Sequence, residues 1–184
     1  MKRMTLILIL GAVVIGLGVV IVLLIPSTTS TTVEIHFDTP IDKVWEVYTD
    51  FECQTNWRHD VASVEMDPNQ KSWTETLSHP SPMAIRFLVL EKTAPKRLVL
   101  QTSADGIFEG KYIAEFKSTQ SGTTATFTEE TTSLGFIPKI MSRLFVNQQK
   151  LIETYADEAK AEINRRNSTP IKTHQCDDSN QMKV

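Results

Sequence analysis

Twenty-one consecutive residues near the start of this chain, Thr5 to Ile25, carry no charge. As a helix rising ~1.5 Å per residue, such a run reaches about 30 Å, the depth of a bilayer's hydrocarbon core. A helix packed on one side of a globular domain shows a polar face, and this run has none. Lys2 and Arg3 precede it, and the next basic residue is Lys43. That asymmetry predicts a single-pass helix with the N-terminus in the cytoplasm and everything after it extracytoplasmic. The run is longer than a signal-peptide core, and Ile25-Pro26-Ser27 lacks a small-x-small cleavage pattern, so it is read as an uncleaved signal anchor. Ala12 and Gly16, four apart among other small residues, allow weak self-association of such helices. The expected organisation is a cytoplasmic end (1–4), a transmembrane helix (5–25), a Ser/Thr-rich solvated spacer (26–32), one folded domain (33–166) and a polar, disordered tail (167–184).

The segment 33–166 is enough for one hydrophobic core and too short for two. It holds 15 Lys and Arg against 20 Asp and Glu, a net charge of −5. A domain of that sign has no general attraction for phosphate backbones, which excludes nucleic acid as a partner. Cys53 and Cys176 form no CxxC pair, and His36, His59, His79 and His174 are scattered without ligand spacing. No metal and no cofactor is expected. The two cysteines are read first as unpaired thiols, with a disulfide as the alternative in an oxidising compartment.

Within the domain, Val33, Ile35 and Phe37 alternate as a strand. Thr39-Pro40 then opens a helix whose Ile41, Val44, Trp45 and Tyr48 fall at helical spacing, and a second short helix or turn covers Asp50 to Trp57. From Asp60 to Ser133 the period becomes two. Six strands are expected: Val61 to Asp67, Ser72 to Ser78, Ala84 to Thr93, Arg97 to Ala104, Ile107 to Ser118 and Thr123 to Ser133. Pro, Gly and Asn turns separate them, which implies an antiparallel meander. Ile137 to Arg166 carries an apolar stripe at three- and four-residue spacing and predicts one long closing helix. A seven-stranded antiparallel sheet twists into a curve, and the helix supplies the apolar cover for its concave face. The space between them can stay open for a ligand.

Several of these residues carry a family likeness. Thr39-Pro40, Val44-Trp45, Asp50-Phe51 and Asn56-Trp57, the strand Gly122 to Glu129, and the terminal helix ending near Asn164 resemble the START-related helix-grip superfamily (SRPBCC). That group includes polyketide cyclase/dehydrase-like and lipid-transport-like domains. The resemblance implies an α+β helix-grip fold: a curved seven-stranded antiparallel sheet wrapped around a long C-terminal helix, here behind one N-terminal transmembrane helix. The superfamily's functions span lipid and steroid binding, aromatic cyclisation and chaperone regulation, so fold alone does not fix activity.

Strand alternation nominates the interior. Phe108, Gly110, Tyr112, Ala114 and Phe116 share one face of their strand, and Ala125, Phe127, Glu129 and Thr131 share one face of the next. The expected ligand lining is Trp73, Phe108, Gly110, Tyr112, Ala114, Phe127, Glu129, Met141 and Phe145, with Gly110 and Ala114 leaving room. Glu129 is the most informative polar position, because a carboxylate on an apolar face must be paired, hydrogen-bonded or protonated. Glu75, alternating with Trp73 and Leu77, raises the same question. The expected function is a membrane-anchored binding module for a small hydrophobic or amphipathic, lipid-like molecule, whose partners are that ligand and, through 5–25, the bilayer. The alternatives are a cyclase/dehydrase-type enzyme using Glu129 and Tyr112 as acid/base groups, and a protein-interaction domain with a closed interior.

Overall fold

The computed structural model describes residues 26–78 and 82–168, together with residues 11, 13 and 16. Gly11, Val13 and Gly16 are helical; the rest of the 5–25 run lies outside the described residues, as do residues 169–184 of the expected tail. Among the described residues no helix is long and apolar enough to cross a membrane.

Seven strands form one antiparallel sheet: β1 (Thr28–Phe37), β2 (Val61–Met66), β3 (Ser72–Leu77), β4 (Met83–Thr93), β5 (Arg97–Ala104), β6 (Phe108–Thr119) and β7 (Gly122–Ser133), in the order β1-β7-β6-β5-β4-β3-β2. From β2 onward each strand lies beside its neighbour in sequence, as short turns require. The helix α1 (Ile41–Thr49) and a 3₁₀ turn (Glu52–Asn56) carry the chain from β1 at one edge to β2 at the other. Register shifts at Val61/Ser63 and Val89/Glu91 add local bend to the sheet. Its concave face takes α1, through Val44, Trp45, Val47 and Tyr48, and the long helix α3 (Gln148–Ser168), through Ile152, Ala156, Ala159 and Ile163.

Two sequence expectations give way here. The Ser/Thr run read as a spacer is strand: β1 begins at Thr28 and pairs with β7 from Thr28↔Thr132 to Phe37↔Thr123. Thr is β-branched and favours extended backbone. On this strand the outward threonines also find partners, Thr28 with Thr132 and Thr32 with Thr128, each hydroxyl pair 2.9 Å apart. Alternation that swaps hydroxyl for hydroxyl leaves no hydropathy signal.

The single closing helix is two. α2 (Phe136–Phe145) ends before α3 begins, because Val146 is extended (φ −102°, ψ 117°). Asn147 then caps α3, its Oδ1 accepting the Lys150 N–H at 3.0 Å. The apolar stripe runs across this break, which is why periodicity alone bridged it. At the other end Arg166 donates to Glu162 (2.6 Å) and Asp50 (2.8 Å), tying α3 to the end of α1.

Replacing the cap, Asn147→Ala, removes the bond that starts α3 and is expected to cost about 1 kcal/mol of unfolding free energy. Denaturant melts check this, and the midpoint should fall with an unchanged slope.

Candidate functional site

The interior of the grip has two unlike ends. At the end formed by α1, the 3₁₀ turn and the middle of α3, aromatic rings fill the space. Tyr48 stacks on Phe127 (5.1 Å between centroids) and meets Tyr155 of α3 edge-on at 5.2 Å, while Trp57 lies 5.5 Å from Tyr155. Beside them Phe51, Trp73 and Phe87 form a continuous stack at 4.0 and 5.0 Å. Offset and edge-on rings of this kind add to the stability that burial alone supplies.

Glu75 is resolved at this end. It is fully buried and accepts from Arg58 Nη1 (2.7 Å) and Trp73 Nε1 (2.9 Å). Arg58 also donates to Gln54 (2.8 Å) and to both oxygens of Asp60 (3.2 and 3.0 Å), and lies 5.0 Å from the centre of the Tyr155 ring. Burial works against the guanidinium's charge, but Glu75, then Tyr155 and Asp60, outweigh it and raise its pKa. With its donors taken up inside the protein, Arg58 is a structural cation. Sequence alternation identified Glu75 but had no signal for its partner, seventeen residues away in a turn.

The other end lies beyond the rung where Tyr112 of β6 and Glu129 of β7 stand directly opposite each other. Here the inward residues Thr29, Thr31, Phe108, Gly110 and Thr131 are only partly buried. Gln148, the first residue of α3, bridges them: its Oε1 accepts from Thr31 (2.8 Å) and its Nε2 donates to the Thr131 hydroxyl (3.0 Å). The helix is therefore held by hydrogen bonds here and by rings further along.

Tyr112 belongs to both ends. Its ring stacks on Phe127 (6.1 Å), yet its hydroxyl is buried with no hydrogen-bond partner. Tyr48 Oη and Trp57 Nε1 share that condition among the described residues. A buried, unmatched polar atom costs about 1–3 kcal/mol, so three around one helix are a concentrated expense. Burial, followed by the charges of Tyr155, Tyr48 and Glu129, pushes the Tyr112 phenol up. Burial likewise raises the Glu129 carboxyl, a hydrogen bond from Thr131 pulling less strongly the other way.

The expected lining divides accordingly. Trp73, Ala114 and Phe127 are fully buried core, with Trp73 sandwiched and its N–H committed. Tyr112, Glu129, Phe108 and Gly110 come together at the open end. Gly110 does not leave empty room: an added methyl would stand 2.6 Å from the Glu130 carbonyl oxygen and 2.8 Å from Thr102 Oγ1. Met141 sits on α2, about half exposed, and the Phe145 side chain lies outside the described residues. A separate concavity of about 370 Å³ opens between the 3₁₀ turn and β2, lined by residues 55–59 with Val61 and Ala62. Cys53 is not a free thiol, contrary to the first reading of the cysteines: it is disulfide-bonded.

A curved seven-stranded antiparallel sheet gripping a C-terminal helix defines the helix-grip class. The chain matches the family described as polyketide cyclase / dehydrase and lipid transport over residues 28–150, and it belongs to that family. No curated protein matches it significantly in sequence. Among solved structures it is similar to the aromatase/cyclase Zhui from a Streptomyces strain (TM-score 0.64, 12% identity, covering 76% of this chain and 95% of that one). It is also similar to a conserved protein from Geobacillus kaustophilus (0.62, 14%, 75% and 95%). A third neighbour is StfQ, a di-domain aromatase/cyclase from the steffimycin biosynthetic pathway (0.62, 12%, 77% and 52%), of which the chain spans about half the length. At these identities the likeness is one of fold.

Two outcomes follow. Arg58→Met strands Glu75 in the core and should cost about 3–5 kcal/mol, part of which Glu75→Gln in the same chain restores. For Glu129, a raised folded pKa means its contribution to stability is fully present below the unfolded pKa and is lost as pH rises through the folded one. Glu129→Gln should therefore raise the melting temperature at about pH 8, with the gain vanishing near about pH 3, below the unfolded pKa, where the carboxyl is protonated in folded and unfolded chains alike.

Proposed function

We propose that this protein is a membrane-anchored binding module that holds a small hydrophobic or amphipathic, lipid-like molecule between the sheet and the terminal helices. The observation that carries this reading is the buried, unpartnered hydroxyl of Tyr112, set directly across from Glu129 on the inner face. A ligand with one polar group would satisfy that hydroxyl while its apolar part lies toward Phe108 and the α2 end. Family membership supports the same class of cargo. Aromatic packing at the far end limits the depth available and favours a ligand seated near the opening rather than one threaded through the core.

The anchor is part of the proposal. Residues 5–25 hold the chain in the bilayer with the N-terminus cytoplasmic and the domain outside. The disulfide at Cys53 supports an oxidising, extracytoplasmic setting. A ligand drawn from the membrane would then be concentrated where the domain sits.

A cyclase-type reaction has one observation in its favour: two groups with raised pKa, Tyr112 and Glu129, share a rung. In that role Glu129, whose carboxyl burial pushes toward the neutral form, would carry the proton, while the Tyr112 phenol, raised well above its usual value, would stay protonated and act as a hydrogen-bond donor. The distinguishing result is turnover: an enzyme would return an altered molecule, a carrier the same one.

The test is mass spectrometry of small molecules that remain with the detergent-extracted full-length protein, followed by saturable rebinding of the enriched species. Tyr112→Phe should weaken rebinding by roughly tenfold, the value of one buried hydrogen bond, with the fold unchanged. Recovery of no enriched species, together with no saturable uptake of a lipid panel, would remove the proposal.

A further inference from the structure

Apart from Leu88 and Leu90 on β4, the exposed large apolar side chains of this domain are gathered around α2. α2 turns Ile137 and Leu144 outward at 70% and 69% exposure, with Phe136 and Met141 about half exposed beside them. Ile137, Met141 and Leu144 follow i, i+4, i+7 spacing and so form one face. The roll of the helix is fixed by its polar residue: Ser142 lies inward, its hydroxyl 3.1 Å from that of Ser133 on β7. Ile107 and Leu134, also exposed, continue the patch, since the Leu134 N–H donates to the Ile107 carbonyl at 2.8 Å. An amphipathic helix facing outward on its apolar side is unusual in a folded domain and calls for something to cover it.

The neighbourhood says what covers it. Pro26 follows directly on the 5–25 run, and its carbonyl accepts from Arg143 of α2 at 3.5 Å. The Ser27 carbonyl accepts the Ser133 N–H at 2.9 Å, just before α2. The chain thus leaves the apolar run at the foot of this patch. Charge agrees: from Thr131 to Ile152 the only charged residues are Lys139, Arg143 and Lys150, a basic stretch on an acidic domain. Basic residues flanking a short apolar helical face suit the headgroup layer of an anionic bilayer.

We infer that α2 lies in the surface of the membrane that holds the 5–25 run, with Phe136, Ile137, Met141 and Leu144 in the acyl boundary and Lys139 and Arg143 at the phosphates. This rests on the membrane-anchored reading above. It adds a defined orientation, because the open end of the grip, at Gln148 and Thr131, adjoins the same helix and faces the lipid.

The test uses the full chain in vesicles of phosphatidylcholine and phosphatidylglycerol whose acyl chains carry bromine. A fluorescent reporter is introduced as Ile137→Trp and, separately, as Leu144→Trp, and the parent's emission is subtracted. Gln120→Trp, in the β6–β7 hairpin at the opposite end of those strands, is the control. Both α2 reporters should shift to the blue and lose roughly half their emission to bromine, as expected for a face sunk about 5–10 Å, while the control is unaffected. Carbonate extraction run in parallel tests the anchor separately. Release of the chain by carbonate with α2 still quenched would refute the anchor and uphold the α2 contact. Retention of the chain with both reporters unquenched would refute the α2 contact and uphold the anchor. A blue shift without bromine quenching means that protein covers the face, and this too overturns the inference. If that shift grows with the protein-to-lipid ratio, the cover is a second copy.

Discussion

Tyr155 is where the three layers of this molecule meet. From the middle of α3 it touches Tyr48 of α1 edge-on, lies against Trp57 after the 3₁₀ turn, and sits under the Arg58 guanidinium. Through Tyr48 the same contact reaches Phe127 on the sheet. A helix lying in a curved sheet could slide along its axis if only aliphatic side chains held it. Rings with fixed mutual angles, and a cation over one of them, remove that freedom. The position of every residue at the open end, Gln148 included, is set from this junction some two turns away.

The cluster around Arg58 shows why the two ends differ chemically. Glu75 is fully buried, yet it is matched atom for atom by Arg58 and Trp73. At the other end Glu129 shares a rung with Tyr112 and has the Thr131 hydroxyl in place of a cation, the Tyr112 hydroxyl has no partner, and burial moves both groups toward the neutral state. One fold contains a carboxylate paired with a cation and another that is not, about half the sheet apart. The first belongs to the architecture; the second stands beside the unpartnered Tyr112 hydroxyl on which the proposed binding role rests.

The sheet was largely readable in advance, because its strands bury one face and alternate accordingly. The inward sets on β6 and β7 could be assigned to the residue, Tyr112 and Glu129 included. What escaped reading was carried by polar side chains. β1 alternates hydroxyls rather than hydropathy, so Thr28 to Thr32 looked like a spacer. The break before α3 depends on the single oxygen of Asn147 inside an apolar stripe. Arg58 finds Glu75 only after the chain has folded, and Gly110 is small because a carbonyl and a hydroxyl crowd it, a contact no periodicity encodes.

The early start of β1 has a mechanical consequence. With Thr28 already in the sheet, two residues, Pro26 and Ser27, separate the apolar run from a rigid body. On the anchored reading this domain has no leash: it diffuses in the plane of its membrane but can neither tumble nor reach. Strands of twelve residues give it a height of about 40 Å, and that height is its whole working radius. Cargo could be exchanged with the leaflet beneath it, or with a soluble acceptor that comes to it. A second membrane would have to approach within the length of one strand.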